Sequence, residues 1–140
     1  MLEPGRVIVG NAGILLTRVV VRKSQGEKRF VIVDAGMNDL IRLSVVWLTS
    51  QYLAGGTEEF PRNCRCGWTD ESADFIAHDR EIPVFEPGDR MAIMSAGAYG
   101  FSLSSNYNSR PRVAEVLVTG DTYEVIGRRG TYEDLIRLET

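Results

Sequence analysis

The chain has 140 residues, 44% of them hydrophobic and 25% charged, which is typical of one globular domain with its own core. Its net charge of -3 argues against a protein that neutralises nucleic-acid phosphates. No apolar run approaches the roughly 20 residues of a membrane span, and the N terminus lacks the pattern of a secretory signal. We therefore expect a cytoplasmic protein with neither nucleic acid nor membrane as a partner.

The first half of the chain predicts a short helix followed by a hairpin. Pro4 and Gly5 are typical of a helix entrance, and β-branched runs on either side of a polar turn are typical of paired strands. The predicted elements are a helix at 5–16, strands at 17–22 and 29–34 around a turn at 24–27, and a helical turn at 38–42. The only two lysines, Lys23 and Lys28, lie at the hairpin tip.

The second half predicts further short strands and a terminal helix. Thr131 and Asp134 have the spacing of a capping box at a helix start. The other predicted elements are strands at 73–77 and 91–94, a long ordered loop at 102–112, and a hairpin formed by 114–118 and 123–126. Together these elements predict a mainly β fold, an antiparallel β-barrel or sandwich with short flanking helices.

Residues that could bind a metal are few. Cys64, Cys66 and His78 are too few for the usual four-ligand zinc site, so we predict no metal and two unpaired thiols in a reduced compartment. The segment 78–80, His-Asp-Arg, follows a predicted strand and is interpreted as a solvated turn rather than a catalytic pair.

The N-terminal motif of Glu3, Pro4, Gly5 and Arg6 is a candidate anion site, because it opens a predicted helix whose free backbone N–H groups favour a phosphate or carboxylate. Taken alone, it is more simply explained as a turn. The case for an anion site at this motif becomes stronger when five other segments are considered with it. These are Met-Asn-Asp-Leu-Ile-Arg at 37–42, Glu-Ser-Ala-Asp at 71–74, Ser-Ala-Gly-Ala-Tyr-Gly-Phe at 95–101, Ser-Ser-Asn-Tyr-Asn at 104–108 and Arg-Pro-Arg at 110–112.

In order and spacing, these segments resemble the C-terminal region of diaminopimelate decarboxylases. The resemblance covers residues 1–42 and 71–140. The family uses pyridoxal 5'-phosphate (PLP), which an N-terminal (β/α)8 barrel carries on a lysine, and a C-terminal β domain of the partner subunit helps to close the active site. The resemblance implies that residues 1–15 are the last segment of the barrel, that 16–140 are the β domain, that the rest of the barrel is missing, and that the partner is a second copy.

The resemblance also implies roles for individual residues, and a guanidinium suits a carboxylate well. Glu3, Pro4, Gly5 and Arg6 match the segment around the PLP phosphate, Arg6 and Arg42 match substrate-binding residues, Glu71 matches the acid that meets the distal ammonium, and Tyr99 matches a tyrosine that approaches both cofactor and substrate. The implied reaction is decarboxylation of meso-diaminopimelate to L-lysine, in lysine biosynthesis.

Two departures limit that assignment. The Schiff-base lysine belongs to the missing barrel and matches neither Lys23 nor Lys28, so we expect no catalytic residue and no activity from this chain alone. The family also has Leu-Tyr-Gly shortly after the position of Arg42, and Val-Gly-Pro and a proton-donor Cys before that of Glu71. Here the sequence has Val-Val-Trp at 45–47 and Gly-Trp-Thr at 67–69, and Asp70 occupies the Cys position.

Our hypothesis for the second departure is that residues 43–70 are translated out of frame. Val-Val-Trp and Gly-Trp-Thr can be encoded by GTT GTA TGG and GGT TGG ACC, which read one nucleotide later yield Leu-Tyr-Gly and Val-Gly-Pro. The pair of cysteines would then have no chemical meaning, and the segment would not form the expected strands. A divergent insertion is the alternative.

Two other functions stay open. The chain could be a non-catalytic β domain that acts as a binding or dimerisation module. It could also come from a related ornithine or arginine decarboxylase, which Glu71-Ser72 and the Arg-Pro-Arg at 110–112 disfavour.

Overall fold

The computed structural model describes residues 4–41, 52–53, 64–67, 75–80 and 84–139. Glu3, Arg42, Asp70 and Glu71, and most of the segment 43–70, lie outside the described residues. No helix among the described residues is long and apolar enough to cross a membrane.

Eight strands and two short α-helices make up the regular structure of the described residues. The helices are α1 (Arg6–Val9) and α2 (Tyr132–Ile136). The strands are β1 (Leu15–Gln25), β2 (Lys28–Val33), β3 (Tyr52–Leu53), β4 (Cys64–Gly67), β5 (Ala77–Arg80), β6 (Arg90–Ile93), β7 (Glu115–Thr119) and β8 (Thr122–Gly127). Single-turn 3-10 helices occupy Gly10–Ala12, Phe101–Leu103 and Tyr107–Ser109.

The strands form a six-stranded sheet in the order β3-β6-β1-β2-β4-β5 and a separate hairpin, β7-β8. All pairs are antiparallel except β2 with β4. The mainly antiparallel β fold predicted from the sequence is therefore confirmed, with one parallel pair. Both lysines lie at the β1-β2 tip, as predicted.

The core lies on one face of the large sheet, where alternate residues of β1, β2 and β6 point inward. On β1 these are Thr17 and Val19, on β2 Val31 and Val33, and on β6 Met91 and Ile93. Alternation with period two is the pattern that buries one face of a strand. Leu40 and Phe85, from the connecting segments, complete this core.

The bounds predicted for the first helix, at 5–16, and for the strand and turn at 73–80 were wrong. The helix predicted at 5–16 is only α1 followed by a 3-10 turn, because Leu15 and Leu16 pair with Ile93 and Ala92 of β6 and so belong to β1. Pairing with a neighbouring strand overrides the local helical preference of this segment.

The second correction concerns residues 73–80. Phe75 and Ile76 are not in a strand, whereas the predicted turn at 78–80 lies in β5. Cys66 and Cys64 of β4 are paired with Ala77 and Arg80. An edge strand can accommodate polar residues because its outer side is unpaired, and the sequence of 78–80 alone shows no sign of its partner.

The long loop, the second hairpin and the terminal helix agree with the predictions. Thr131 caps α2: its hydroxyl accepts a hydrogen bond from the Asp134 backbone N–H, and the Asp134 side chain accepts one from the Thr131 N–H. Within the segment 43–70, the described residues form β3 and β4, so these six residues do pair as strands.

Candidate functional site

The structure brings Arg6 of α1 and Tyr99 together. The centre of the Arg6 guanidinium lies 5.9 Å from the centroid of the Tyr99 ring, within the range of a cation–π contact. The Nη1 atom of Arg6 donates a hydrogen bond of 2.7 Å to the Ser95 carbonyl. Two residues separated by more than ninety positions therefore share one surface, and α1 is tied to the bend that carries Tyr99.

A crossing of glycines fixes this arrangement. Gly97 N–H donates to the Gly10 carbonyl at 3.0 Å, and the neighbouring Ala96 N–H donates to the Gly13 carbonyl at 2.9 Å. A β carbon on Gly97 would lie 2.1 Å from the Val9 carbonyl oxygen, a distance that no real contact allows. Only a residue without a side chain can therefore bring the two backbones this close.

The bend itself is strained. Ser95 and Tyr99 both have φ 60°, the left-handed region that costs a non-glycine residue about 1–2 kcal/mol. Two hydrogen bonds at Ser95, where the bend begins, offset part of this cost. The Ser95 carbonyl accepts from Arg6, and the Ser95 hydroxyl donates to Asn11 Oδ1 at 2.7 Å. Such strain is concentrated at sites where a side chain must be presented in one direction.

Arg6, Gly5 and Tyr99 have the properties that an anionic group needs. The Nε of Arg6 is buried and has no hydrogen-bond partner among the described residues. A β carbon on Gly5 would lie 2.6 Å from the Tyr99 hydroxyl, so only a glycine lets that hydroxyl pack against the backbone at the start of α1. A guanidinium with an N–H group unpartnered in the described part of the chain and a phenol hydroxyl at one place fit a phosphate or a carboxylate.

A second polar network lies just before Arg42 in the chain. Asp39, 4% exposed, accepts from Gly36 N–H and from Asn38 Nδ2, both at 3.0 Å, and its Oδ2 is 4.0 Å from Arg110 Nη2. Burial raises the pKa of the Asp39 carboxyl above its usual value, and the hydrogen bonds and Arg110 offset only part of that effect. The network fixes the turn that leads to residue 42.

The pKa of Asp34 is shifted in the opposite direction to that of Asp39. Burial acts to raise the pKa of Asp34, but the Arg18 backbone N–H at 2.8 Å and the Thr17 hydroxyl at 2.6 Å stabilise the charged form. The charge of Arg18 adds to them, and the pKa of Asp34 is therefore lowered. Asp34 is thus a charged anchor between β1 and the end of β2.

An open groove of about 820 Å³ lies elsewhere on the sheet. Among the residues that the structure describes, its lining holds both carboxylates and guanidiniums and none of the predicted site residues. The described lining residues are Leu16, Thr17, Arg18, Asp34, Gly88, Asp89 and Arg90. Neighbouring opposite charges, as in the Arg18–Asp34 pair at 4.0 Å, satisfy one another. We assign this groove no role.

Of the predicted site residues, Pro4, Gly5, Arg6 and Tyr99 are described, and the last three lie together. The residues that reasoning from the sequence missed are Arg110 and Arg112. They were noted as part of a motif but given no role. Arg112 donates hydrogen bonds to the Phe101 carbonyl and the Ser104 hydroxyl in the loop after Tyr99, and Arg110 donates one to the Asp34 carbonyl just after β2. Two arginines around a proline are a signal of this kind, because each guanidinium carries five N–H donors and therefore needs several acceptors.

Comparison with known proteins identifies the family. The model of the pyridoxal-dependent decarboxylase C-terminal sheet domain matches residues 7–97. The chain belongs to this family. That family model ends two residues before Tyr99 but includes the crossing of Gly10, Gly13 and Gly97.

Relatives of this sheet domain are similar along almost all of the chain. Proteins named diaminopimelate decarboxylase from Aquifex aeolicus and Pseudomonas aeruginosa are 47% and 48% identical over 97% and 96% of it. A crystal structure of diaminopimelate decarboxylase from Helicobacter pylori complexed with L-lysine is 43% identical, with a TM-score of 0.88 over 98% of this chain and 34% of that one. The chain spans about a third of the length of the relatives it matches.

Proposed function

We propose that this chain supplies the part of the active site that binds the PLP phosphate and the substrate in a PLP-dependent diaminopimelate decarboxylase. The observation that carries the proposal is the juxtaposition of Arg6 and Tyr99, in which the Tyr99 hydroxyl packs against Gly5 and the buried Arg6 Nε lacks a partner among the described residues. The names of the relatives, and the lysine bound in the Helicobacter pylori structure, support the substrate class.

The residue roles follow from the chemistry of the side chains. The Pro4–Arg6 segment and Tyr99 would hold the PLP phosphate, and Arg6 would also bind a substrate carboxylate through its charged N–H groups. Arg42 and Glu71 would bind a carboxylate and the distal ammonium of diaminopimelate. PLP, when bound, supplies an electron sink for the bond that loses CO2. The task of this chain is to orient the substrate so that one carboxylate leaves as CO2 and a proton takes its place.

The chain is expected to be inactive by itself. Lys23 and Lys28 lie at the β1-β2 tip, whereas the Arg6–Tyr99 surface lies near Leu15, at the other end of β1. Eight residues of strand separate Leu15 from Lys23, about 26 Å at roughly 3.3 Å per residue. Neither lysine can therefore reach a cofactor held at Arg6.

The apolar surface of α1 supports a position against another domain. Val7 and Ile8 are 83% and 68% exposed, and Leu16 is 60% exposed. Exposed apolar side chains that follow one another, as Val7 and Ile8 do, are typical of a surface that another part of a protein covers. We propose that it meets a PLP-carrying barrel and that a second copy helps to close the site.

The test is a chimera in which residues 1–42 and 71–140 of this chain replace the matching parts of the Aquifex aeolicus relative, which keeps its own segment at the position of 43–70. We expect the chimera to release CO2 and lysine from meso-diaminopimelate in the presence of PLP, and the isolated chain to release none. Arg6→Met and Tyr99→Phe should lower kcat/KM by about 10- to 100-fold, since each removes a contact to a charged group. Tyr132→Phe, an exposed tyrosine on α2, is the matched control and should leave kcat/KM unchanged.

Three outcomes would count against the proposal. A folded, PLP-loaded chimera that decarboxylates ornithine or arginine in place of diaminopimelate would overturn the substrate. A folded dimer that binds no PLP would favour the dimerisation module. Equal activity of Arg6→Met, Tyr99→Phe and Tyr132→Phe would overturn the residue assignment.

A further inference from the structure

Arg112 contacts the chain immediately after Tyr99. Its Nη2 donates to the Phe101 carbonyl at 2.6 Å, and its Nε donates to the Ser104 hydroxyl at 2.8 Å. The guanidinium also lies 3.9 Å from the centroid of the Phe101 ring. A single side chain thus makes three contacts within four residues, and the first of these residues is two positions after Tyr99.

Residues 96–104 also contact one another. The Ser104 hydroxyl donates to the Phe101 carbonyl at 2.7 Å, so that carbonyl accepts from both Ser104 and Arg112. Gly100 packs against the preceding part of the bend, where a β carbon would lie 2.4 Å from the Ala96 carbonyl oxygen. Charge-assisted hydrogen bonds are the stronger kind, so Arg112 is the main restraint on this side.

Arg6 restrains the other side of the bend. It donates to the Ser95 carbonyl, four residues before Tyr99, whereas Arg112 donates to the Phe101 carbonyl two residues after it. Tyr99, between them, has its backbone in the left-handed region. A strained residue persists only where the surrounding contacts over-determine it, and these two guanidiniums supply such contacts on both flanks.

We propose that Arg112 is a positioning residue, which holds the bend of residues 95–104 so that the Tyr99 phenol stays beside Gly5 and Arg6. The inference rests on the proposed function, because it assigns Arg112 to the part of the site that would hold PLP and substrate. Arg112 itself touches neither group. Its carbonyl accepts from Gly130 N–H at 2.9 Å, which links the bend to the segment that leads into α2.

The first experiment measures hydrogen exchange by mass spectrometry on the full 140-residue chain. Arg112→Met should speed amide exchange over residues 99–104 about tenfold or more, because it removes a charge-assisted restraint from that opening. Exchange in β1 and β6 should be unchanged. Arg128→Met, the matched control, removes an arginine that forms its ion pair with Asp134, away from the bend. It should leave 99–104 unchanged.

The second experiment measures kcat and KM of the chimera per folded, PLP-loaded site. Arg112→Met and Tyr99→Phe should each lower kcat/KM, and the double variant should lose little more than Tyr99→Phe alone, because both act through the same phenol. Arg112→Lys, which keeps the charge but lacks the planar guanidinium that bonds to both acceptors and lies over the Phe101 ring, should be intermediate. If Arg112→Met does not fold, Ser104→Ala is measured in its place; it removes the Nε acceptor and the hydroxyl donor to the Phe101 carbonyl but keeps the hydrogen bond from Arg112 Nη2 to that carbonyl.

The outcomes separate the two proposals. Unchanged exchange over 99–104 in Arg112→Met, or additive losses in the double variant, would overturn the role of Arg112 while leaving the proposed function intact. A chimera in which Tyr99→Phe retains full kcat/KM would overturn the assignment of Tyr99 and with it the functional meaning of the restraint. Exchange of the bend is measurable in either case.

Discussion

Gly13 and Gly97 cross so closely that a β carbon on Gly13 would lie 2.7 Å from the Cα of Gly97. This contact joins the segment of α1 to the bend that carries Tyr99, and it lets the Gly97 and Ala96 amides reach carbonyls of residues 10 and 13. The Arg6–Tyr99 surface exists because these two backbones can touch.

Gly97→Ala should therefore destabilise the chain and separate the two halves of the site. The added methyl meets backbone atoms, which cannot rotate away, so we expect a loss of about 1–3 kcal/mol in the free energy of unfolding. Gly26→Ala is the control: its φ of +59° is unfavourable for alanine, but no heavy atom lies within 4 Å of the added methyl, so it tests backbone strain without a clash. Urea denaturation compares the variants, with exchange of residues 95–100 reporting on the bend. Equal exchange there in both would contradict the role of the crossing.

Asp39 and Asp34 should titrate on opposite sides of their ordinary pKa of 3.8. Burial raises the pKa of Asp39, so its contribution to stability is present below pH 3.8 and is lost as the pH rises through the folded pKa. The pKa of Asp34 is lowered because the Arg18 N–H and the Thr17 hydroxyl outweigh its desolvation. Its contribution is therefore present above pH 3.8 and is lost as the pH falls through the folded pKa.

Unfolding free energies between about pH 3 and pH 7 test this pair. The advantage of the wild type over Asp39→Asn should shrink as the pH rises, whereas its advantage over Asp34→Asn should grow. Carboxyl carbon shifts followed by NMR give the two pKa values directly. A pKa for Asp39 at or below that of Asp34 would show that burial does not dominate at Asp39.

Thr131→Ala should unfold α2 locally. The helix has only five residues, and its capping box is its main local stabilisation, so the loss is expected to be about 1 kcal/mol. Arg128 and the Thr131 backbone N–H also keep the pKa of Asp134 well below its usual range, so the cap should persist in mild acid and weaken as the pH falls through that lower pKa.

Amide exchange over residues 132–136 measures this effect. Thr122→Ala, which removes a hydroxyl donor to the Thr119 carbonyl in the β7-β8 turn, is the control and should leave α2 protected. Unchanged protection of 132–136 in Thr131→Ala would mean that packing, and not the cap, holds the helix.

The coding sequence of residues 43–70 tests the proposed frame change. We expect the nucleotides read one position later to encode Leu-Tyr-Gly at the place of 45–47 and Val-Gly-Pro at that of 67–69. Sequencing the gene from upstream of codon 1 through codon 71 settles the point. If codon usage there yields neither motif in that frame, the segment is a true divergence of this chain.

Much of the local structure could be predicted from neighbouring residues. The β1-β2 hairpin follows from β-branched runs around a polar turn, and the α2 start follows from the spacing of Thr131 and Asp134. In both elements the interacting groups are close in sequence, so the contacts that stabilise the element are the same ones that the local sequence pattern predicts.

Other features depend on residues far apart in the chain. The segment 78–80 is a strand because β4 pairs with it, and residues 15–16 leave the predicted helix because β6 does. The motif that contains Arg112 could be recognised in the sequence. Its hydrogen bonds to Phe101 and Ser104 could not be predicted, because they depend on how the loop folds back.

The order and spacing of its segments determined, from the sequence alone, the mainly β fold, the family and the candidate residues Arg6 and Tyr99. Only the tertiary structure decided that these two meet across a crossing of glycines and that two arginines restrain the bend between them. The physical reason is that hydrophobic period and turn chemistry act over a few residues, whereas close backbone contact and charge-assisted hydrogen bonds are specified only once distant segments are in place.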